Sequence, residues 1–125
     1  MFIRLTSVLM LAMCVTACGG YNSPSAPSTG QTPAPAGSTT VNIAGGASTL
    51  TTMAFGQNPL TIAVGTTISW LNDDGITHTS NADANQWSSG SIPPGGRFNF
   101  TFSSGGRFTY HCQIHPNMVG TIVVQ

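Results

Sequence analysis

Apolar and polar residues alternate with a period of two along most of the second half of the chain. In Arg97-Phe98-Asn99-Phe100-Thr101-Phe102 the three phenylalanines share one face, and Arg97, Asn99 and Thr101 share the other. Successive side chains of a strand point to opposite faces, so this pattern predicts a half-buried β-strand. Arg107 to Cys112 repeats it, with Phe108, Tyr110 and Cys112 inward and Arg107, Thr109 and His111 outward. Ile62 and Val64, a break at Gly65, then Ile68 and Trp70 mark inward positions between Thr61 and Asn72. Val41 and Ile43 open the series, and Ile122 and Val124 close it. Turn-forming pairs and clusters separate the runs: Asn58-Pro59, Asp74-Gly75, Pro93-Pro94-Gly95-Gly96 and Ser104-Gly105-Gly106. No stretch carries a capped 3.6-residue period. The fold expected is all-β, a single Greek-key β-sandwich. His78 to Gly90 is too polar along its length for a core strand, and the pattern leaves its structure open. Trp70 is expected in the core, as is Met53 beside Phe55. Trp87, in a Ser-rich stretch, fits the core rim and a partner surface equally well.

The first residues follow a different pattern. Arg4 precedes an apolar run from Leu5 to Ala17, which is the layout of an export signal and too short for a spanning helix. Val15-Thr16-Ala17-Cys18 resembles the bacterial lipoprotein signal, which implies cleavage after residue 17 and acylation of Cys18. Attached acyl chains would anchor the protein to a membrane surface, on a periplasmic or extracellular face. Residues 18–38 are uncharged and rich in Gly, Ser, Thr, Pro and Ala, so they read as a flexible tether. The domain is expected over residues 39–125, a single small one.

Export changes the meaning of the cysteines. Cys14 leaves with the signal and Cys18 is alkylated, so Cys112 is the one free thiol in an oxidising compartment. An unpaired exported Cys calls for a reactive thiol or a metal ligand. Only 5 % of residues are charged, with neither Lys nor Glu. That leaves no basic patch for nucleic acid and no acidic run for long-range steering. Docking through an apolar surface is expected instead.

The candidate chemistry lies in Tyr-His-Cys-Gln-Ile-His-Pro-Asn-Met, residues 110–118. Cys112 ends an inward-facing run, and the short loop after it brings His115 and Met118 back beside the sulfur. Thiolate, imidazole and thioether form a soft donor mixture suited to copper. Zinc more often meets several Cys or His in a closed shell, and no Cys-x-x-Cys pair exists here. A trigonal plane of one thiolate and two imidazoles with a weak axial Met is the blue-copper arrangement. His78 and His111 are the candidates for the second imidazole. His111 adjoins Cys112 on a strand and should face the opposite way, so His78 is the better ligand and His111 reads as a solvated strand residue.

These segments, with Thr67–Thr79 and Ser91–Phe102, closely resemble the cupredoxins of the plastocyanin/amicyanin group over about Phe55 to Val124. The Cys-x-x-His-x-x-Met spacing with Pro116 after the His is that of the short amicyanin-type loop. The resemblance implies one type 1 copper held by His78, Cys112, His115 and Met118. It implies a non-enzymatic one-electron carrier, a monomer, whose redox partners dock near His115. Two positions depart from the group. Thr79 stands where Asn is frequent; its backbone N–H is expected to donate to the Cys112 sulfur and its hydroxyl to tie the ligand loops together. Ile114 stands where amicyanin has Pro. Asn72 is expected to hydrogen-bond a loop near the site, and Asp73 and Asp74 read as solvated turn residues. An envelope copper carrier is the alternative, although such a protein would display more Met or Cys. A multicopper enzyme needs more than the three His present, and a thiol enzyme leaves Met118 unexplained.

Overall fold

The structure, a computed structural model, describes residues 36–125. The expected signal peptide, Cys18 and all but the end of the tether lie outside the described residues. Among the described residues seven strands form two sheets: β1 (Ser38–Ile43), β2 (Leu60–Ile62), β3 (Thr67–Asn72), β4 (Asn81–Ala82), β5 (Arg97–Thr101), β6 (Gly106–His111) and β7 (Val119–Val124). One sheet has the order β1-β3-β5 and the other β2-β7-β6-β4. β1 runs parallel to β3 and β2 parallel to β7, while the remaining pairs are antiparallel. The fold is an all-β two-sheet sandwich, as the alternation predicts.

Inward positions of both sheets supply the core. Val41, Ile43, Ile68, Trp70, Tyr110, Ile122 and Val124 are all buried. Strand alternation puts them on the inner faces, and removal of their apolar area from water stabilises the sandwich. Phe98 and Phe100 are half-buried against this core, and Phe102 is fully inside. Trp87 belongs to the core rather than to a partner surface. Its ring packs 5.1 Å from Phe100 and 5.6 Å from Trp70, and its Nε1–H donates to Ser80 Oγ at 3.0 Å.

Two expectations need correction. Met53 is 61 % exposed and not core, because it sits in the second of two 3-10 turns, Ala47–Thr49 and Thr51–Met53. There it is Ala47 and Ala54 that point inward. Val64 is exposed, since β2 stops at Ile62 and the chain turns through Gly65 at φ +88°. The polar stretch from His78 to Gly90, whose structure the pattern leaves open, contains only the two-residue strand β4, which pairs with His111 and Tyr110 of β6.

β3 delivers the chain to the functional end. Its inward period continues past Ile68 and Trp70 to Asn72, which is fully buried. A buried amide needs partners, and Asn72 has three. Its Nδ2 donates to the Ile76 carbonyl at 2.7 Å and the Ile92 carbonyl at 2.8 Å, and its Oδ1 accepts from Asp74 N–H at 2.9 Å. Asn72 therefore shapes the loop that leads to His78.

Candidate metal centre

His78 lies six residues beyond the end of β3, where its backbone pairs in both directions with Ile92, at 3.1 and 2.8 Å. That bridge fixes the main chain, and the ring is fully buried. Cys112 follows the last residue of β6 and is also fully buried. Its N–H donates to the Met118 carbonyl at 3.0 Å, and Met118 N–H donates to the His115 carbonyl at 2.9 Å. The second bond closes a β-turn with Pro116 at the position where its fixed φ is favourable. The loop from Cys112 to Met118 is thus held at both ends by its own backbone.

Three donor atoms converge. His78 Nδ1 is 3.9 Å from Cys112 Sγ, His115 Nδ1 is 3.8 Å from the same sulfur, and the two nitrogens are 3.2 Å apart. The circumcentre of that triangle lies about 2.1 Å from each corner, the length of a bond from a transition metal to imidazole. Met118, at the far end of the same loop, is fully buried. His78, Cys112 and Met118 are closed to solvent, and His115 is partly exposed. His111 stays away from this group, as expected of the neighbour of an inward residue. It pairs with Asn81 across the sheet, and its Nδ1 lies 2.6 Å from Asp83 Oδ1.

Thr79 joins the two ligand segments. Its N–H donates to Cys112 Sγ at 3.3 Å, its hydroxyl lies 3.8 Å from the same sulfur, and that hydroxyl accepts Gln113 N–H at 2.8 Å. Donors aimed at a ligand sulfur orient it and tune how strongly it binds a metal.

Sequence reasoning missed Asp74. It is no solvated turn residue: its side chain is only 11 % exposed, and its Oδ2 lies 2.8 Å from His78 Nε2. Oδ1 also accepts Gly46 N–H at 3.1 Å and Gly75 N–H at 2.7 Å, and Oδ2 accepts Ala47 N–H at 3.3 Å. The bonds from His78 and Gly46 hold its carboxyl down at about 2, against a small opposing effect of burial. The four-residue spacing to His78 was the one available signal, and it was masked by the turn-forming Asp-Asp-Gly sequence.

An all-β sandwich with a Cys, two His and a Met gathered at one end defines a small copper protein of the cupredoxin type. Residues 41–125 match the copper-binding proteins of the plastocyanin/azurin family, and the chain belongs to that family. Among solved structures it is similar to a purple cupredoxin from Nitrosopumilus maritimus, with 32 % identity and a TM-score of 0.63 over 69 % of this chain and 98 % of that one. It is also similar to amicyanin. A copper(I) amicyanin variant shares 26 % identity at a TM-score of 0.60, over 70 % of this chain and 82 % of the other. The cluster of His78, Cys112, His115 and Met118 is consistent with one type 1 copper.

Proposed function

We propose that this protein is a one-electron carrier of the cell envelope, with His78, Cys112, His115 and Met118 as the ligands of its copper. The observation that carries the reading is the donor triangle, whose sides leave room for one ion at bonding distance from two imidazoles and a thiol. A type 1 copper bound there supplies a one-electron couple. The chain's own contribution is rigidity and dryness. The His78–Ile92 bridge, the Cys112–Met118 bond and the Thr79–Gln113 bond each tie a ligand segment to backbone or to the other segment. Such a frame resists the rearrangement that a change of charge at the centre would otherwise drive.

Partner docking falls to the one ligand that reaches the surface. Ile114, next to His115 in the chain, and Val119, which begins β7, are exposed apolar side chains suited to an apolar partner. Acylation of Cys18 would hold the domain near a membrane while the tether lets it reach that partner. A visible spectrum of residues 36–125 after addition of Cu(II) tests the reading. An intense thiolate-to-copper band is expected, bleached by reductant and lost in Cys112→Ala. A protein with only the weak absorption of ordinary Cu(II) sites would transfer the assignment to copper carriage.

A further inference from the structure

β1 is an outer strand of its sheet, hydrogen-bonded on one side to β3. Its other edge carries none of the features that ordinarily keep a strand edge from meeting another strand. We propose that this edge is an interface for a second copy of the chain, the two β1 strands pairing antiparallel about a two-fold axis at Thr40. The interface replaces the monomer expected from the family, and it holds whether or not the metal centre carries electrons.

Three backbone bonds fix which groups face that edge. The Gly37 carbonyl accepts Thr67 N–H at 2.9 Å and the Ile43 carbonyl accepts Asp73 N–H at 3.0 Å, so the odd-numbered residues turn their N–H and C=O toward β3. These directions alternate along a strand, so Ser38, Thr40 and Asn42 turn theirs away. Ala44 continues the alternation, its N–H donating to the Ala54 carbonyl at 3.2 Å. Among the described residues no hydrogen bond takes up the backbone groups of Ser38, Thr40 or Asn42, and all three residues are exposed. An edge in this state is a template for another strand. The other outer strands are β5, β2 and β4. β2 has three residues and follows Pro59, β4 has two, and β5 opens with Arg97. Short length, Pro and charge are the usual protections of an edge. β1, six residues reading Ser-Thr-Thr-Val-Asn-Ile, has none of them.

A second copy is the occupant that suits this edge. The outward positions 38, 40 and 42 are symmetric about Thr40, so antiparallel pairing sets Thr40 opposite the partner's Thr40 and Ser38 opposite the partner's Asn42. Each such pair exchanges both backbone bonds, and Thr opposite Thr is a favourable cross-strand pair. With a formal net charge of zero, two chains meet without long-range repulsion. The segment just before β1 is a poorer occupant, because Pro33 and Pro35 remove two of its N–H donors. A groove of about 320 Å³ lies at the same edge, lined in part by Val41, Phe55 and Leu60, and pairing there removes apolar area from water. β1 runs toward the metal end, where Ile43 pairs with Asn72. Antiparallel pairing therefore points the two metal ends in opposite directions and leaves both His115 edges open.

Disulfide trapping in the full-length chain, kept in mild detergent, tests the register. Hydrogen-bonded antiparallel partners have Cα atoms about 5.5 Å apart, within reach of a disulfide. Thr40→Cys is expected to give a covalent dimer on mild oxidation, well above any formed by the wild type, whose Cys112 is fully buried. Ser38→Cys and Asn42→Cys singly should give none, because like residues there lie about 14 Å apart along the strand. The double variant Ser38→Cys/Asn42→Cys should be trapped again. Thr40→Lys sets like charges at the axis and should abolish co-purification of tagged with untagged copies, while Asn99→Lys, on exposed β5, leaves it intact. All four positions are exposed, so the core is untouched by these changes. Absence of the Thr40→Cys dimer, as when the tether or another protein covers the edge, overturns the proposal. So do equal yields from the single variants at 38, 40 and 42, which mark random collision. So does a Thr40→Lys chain that still co-purifies, or whose loss Asn99→Lys matches.

Discussion

Single side chains at the metal end act through groups they leave satisfied. Thr79 gives the Cys112 sulfur a backbone donor at 3.3 Å and sets a hydroxyl 3.8 Å from it. Because that hydroxyl already accepts Gln113 N–H, its own proton is free for the sulfur. Thr79→Val keeps the shape and removes this donor, so the thiolate gives more electron density to an oxidised metal. The reduction potential of the copper-loaded protein should fall in Thr79→Val and hold in Thr79→Ser; equal potentials in all three would leave the backbone N–H as the sole tuning contact. Loss of the hydrogen bond should also cost about 0.5–1.5 kcal/mol of stability. The donor residues themselves were readable from sequence because their chemistry is distinctive and crowded into Cys112 to Met118. Strand alternation further separated His111 from Cys112. Asp74 was not readable, because its partners Gly46 and Ala47 are far away in sequence and an Asp before Gly satisfies every rule for an ordinary turn.

At the scale of elements, the β6–β7 ladder carries the ligand loop, and its fit depends on one missing side chain. Tyr110 lies directly opposite Gly120. A Cβ on Gly120 would come within 2.3 Å of the Tyr110 ring. The buried ring, packed 4.7 Å from Phe55 and 5.7 Å from Trp70, has nowhere to move cheaply. Gly120→Ala should therefore destabilise the domain by about 1–3 kcal/mol, the usual cost of overpacking, seen as a lower urea midpoint. A midpoint equal to wild type would mean that the ring relaxes freely. Periodicity revealed the longer strands because each alternates against an apolar interior. β4 escaped it because its surroundings are polar, mostly paired within the same stretch, with Asn81 Oδ1 left without a partner among the described residues. Ser80 accepts from Trp87, and Asn81 Nδ2 donates to Ser88 at 2.6 Å. Nor does a period of two name neighbours: the parallel pairings of β1 with β3 and β2 with β7 depend on long connections that alternation does not describe.

Across the whole molecule, the metal and the few charges set the response to conditions. An ion bound by the folded site alone stabilises it by about 2.7 kcal/mol at a free concentration one hundred times its Kd. Stripping the metal with a chelator should accordingly lower the melting temperature by several degrees, and a melt unaffected by metal would mean that no such site is formed. Acid acts on the metal-free domain through two carboxylates. The His78 and Gly46 bonds hold Asp74 at about 2, and the Thr109 hydroxyl with His111 holds Asp83 below its ordinary value. In the unfolded chain both return to about 3.9. Above that pH both states are ionised and the stabilisation is complete. As the pH falls below about 4, the unfolded chain binds protons first, so stability drops with pH and the contribution of Asp74 is lost by about 2. Melting temperatures of the metal-free protein should decline between pH 4 and 2, and Asp74→Asn should flatten that decline more than Asp83→Asn, whose half-exposed carboxylate is better screened. A wild-type curve with no acid limb would show that the Asp74 bonds persist, at equal strength, in the unfolded chain.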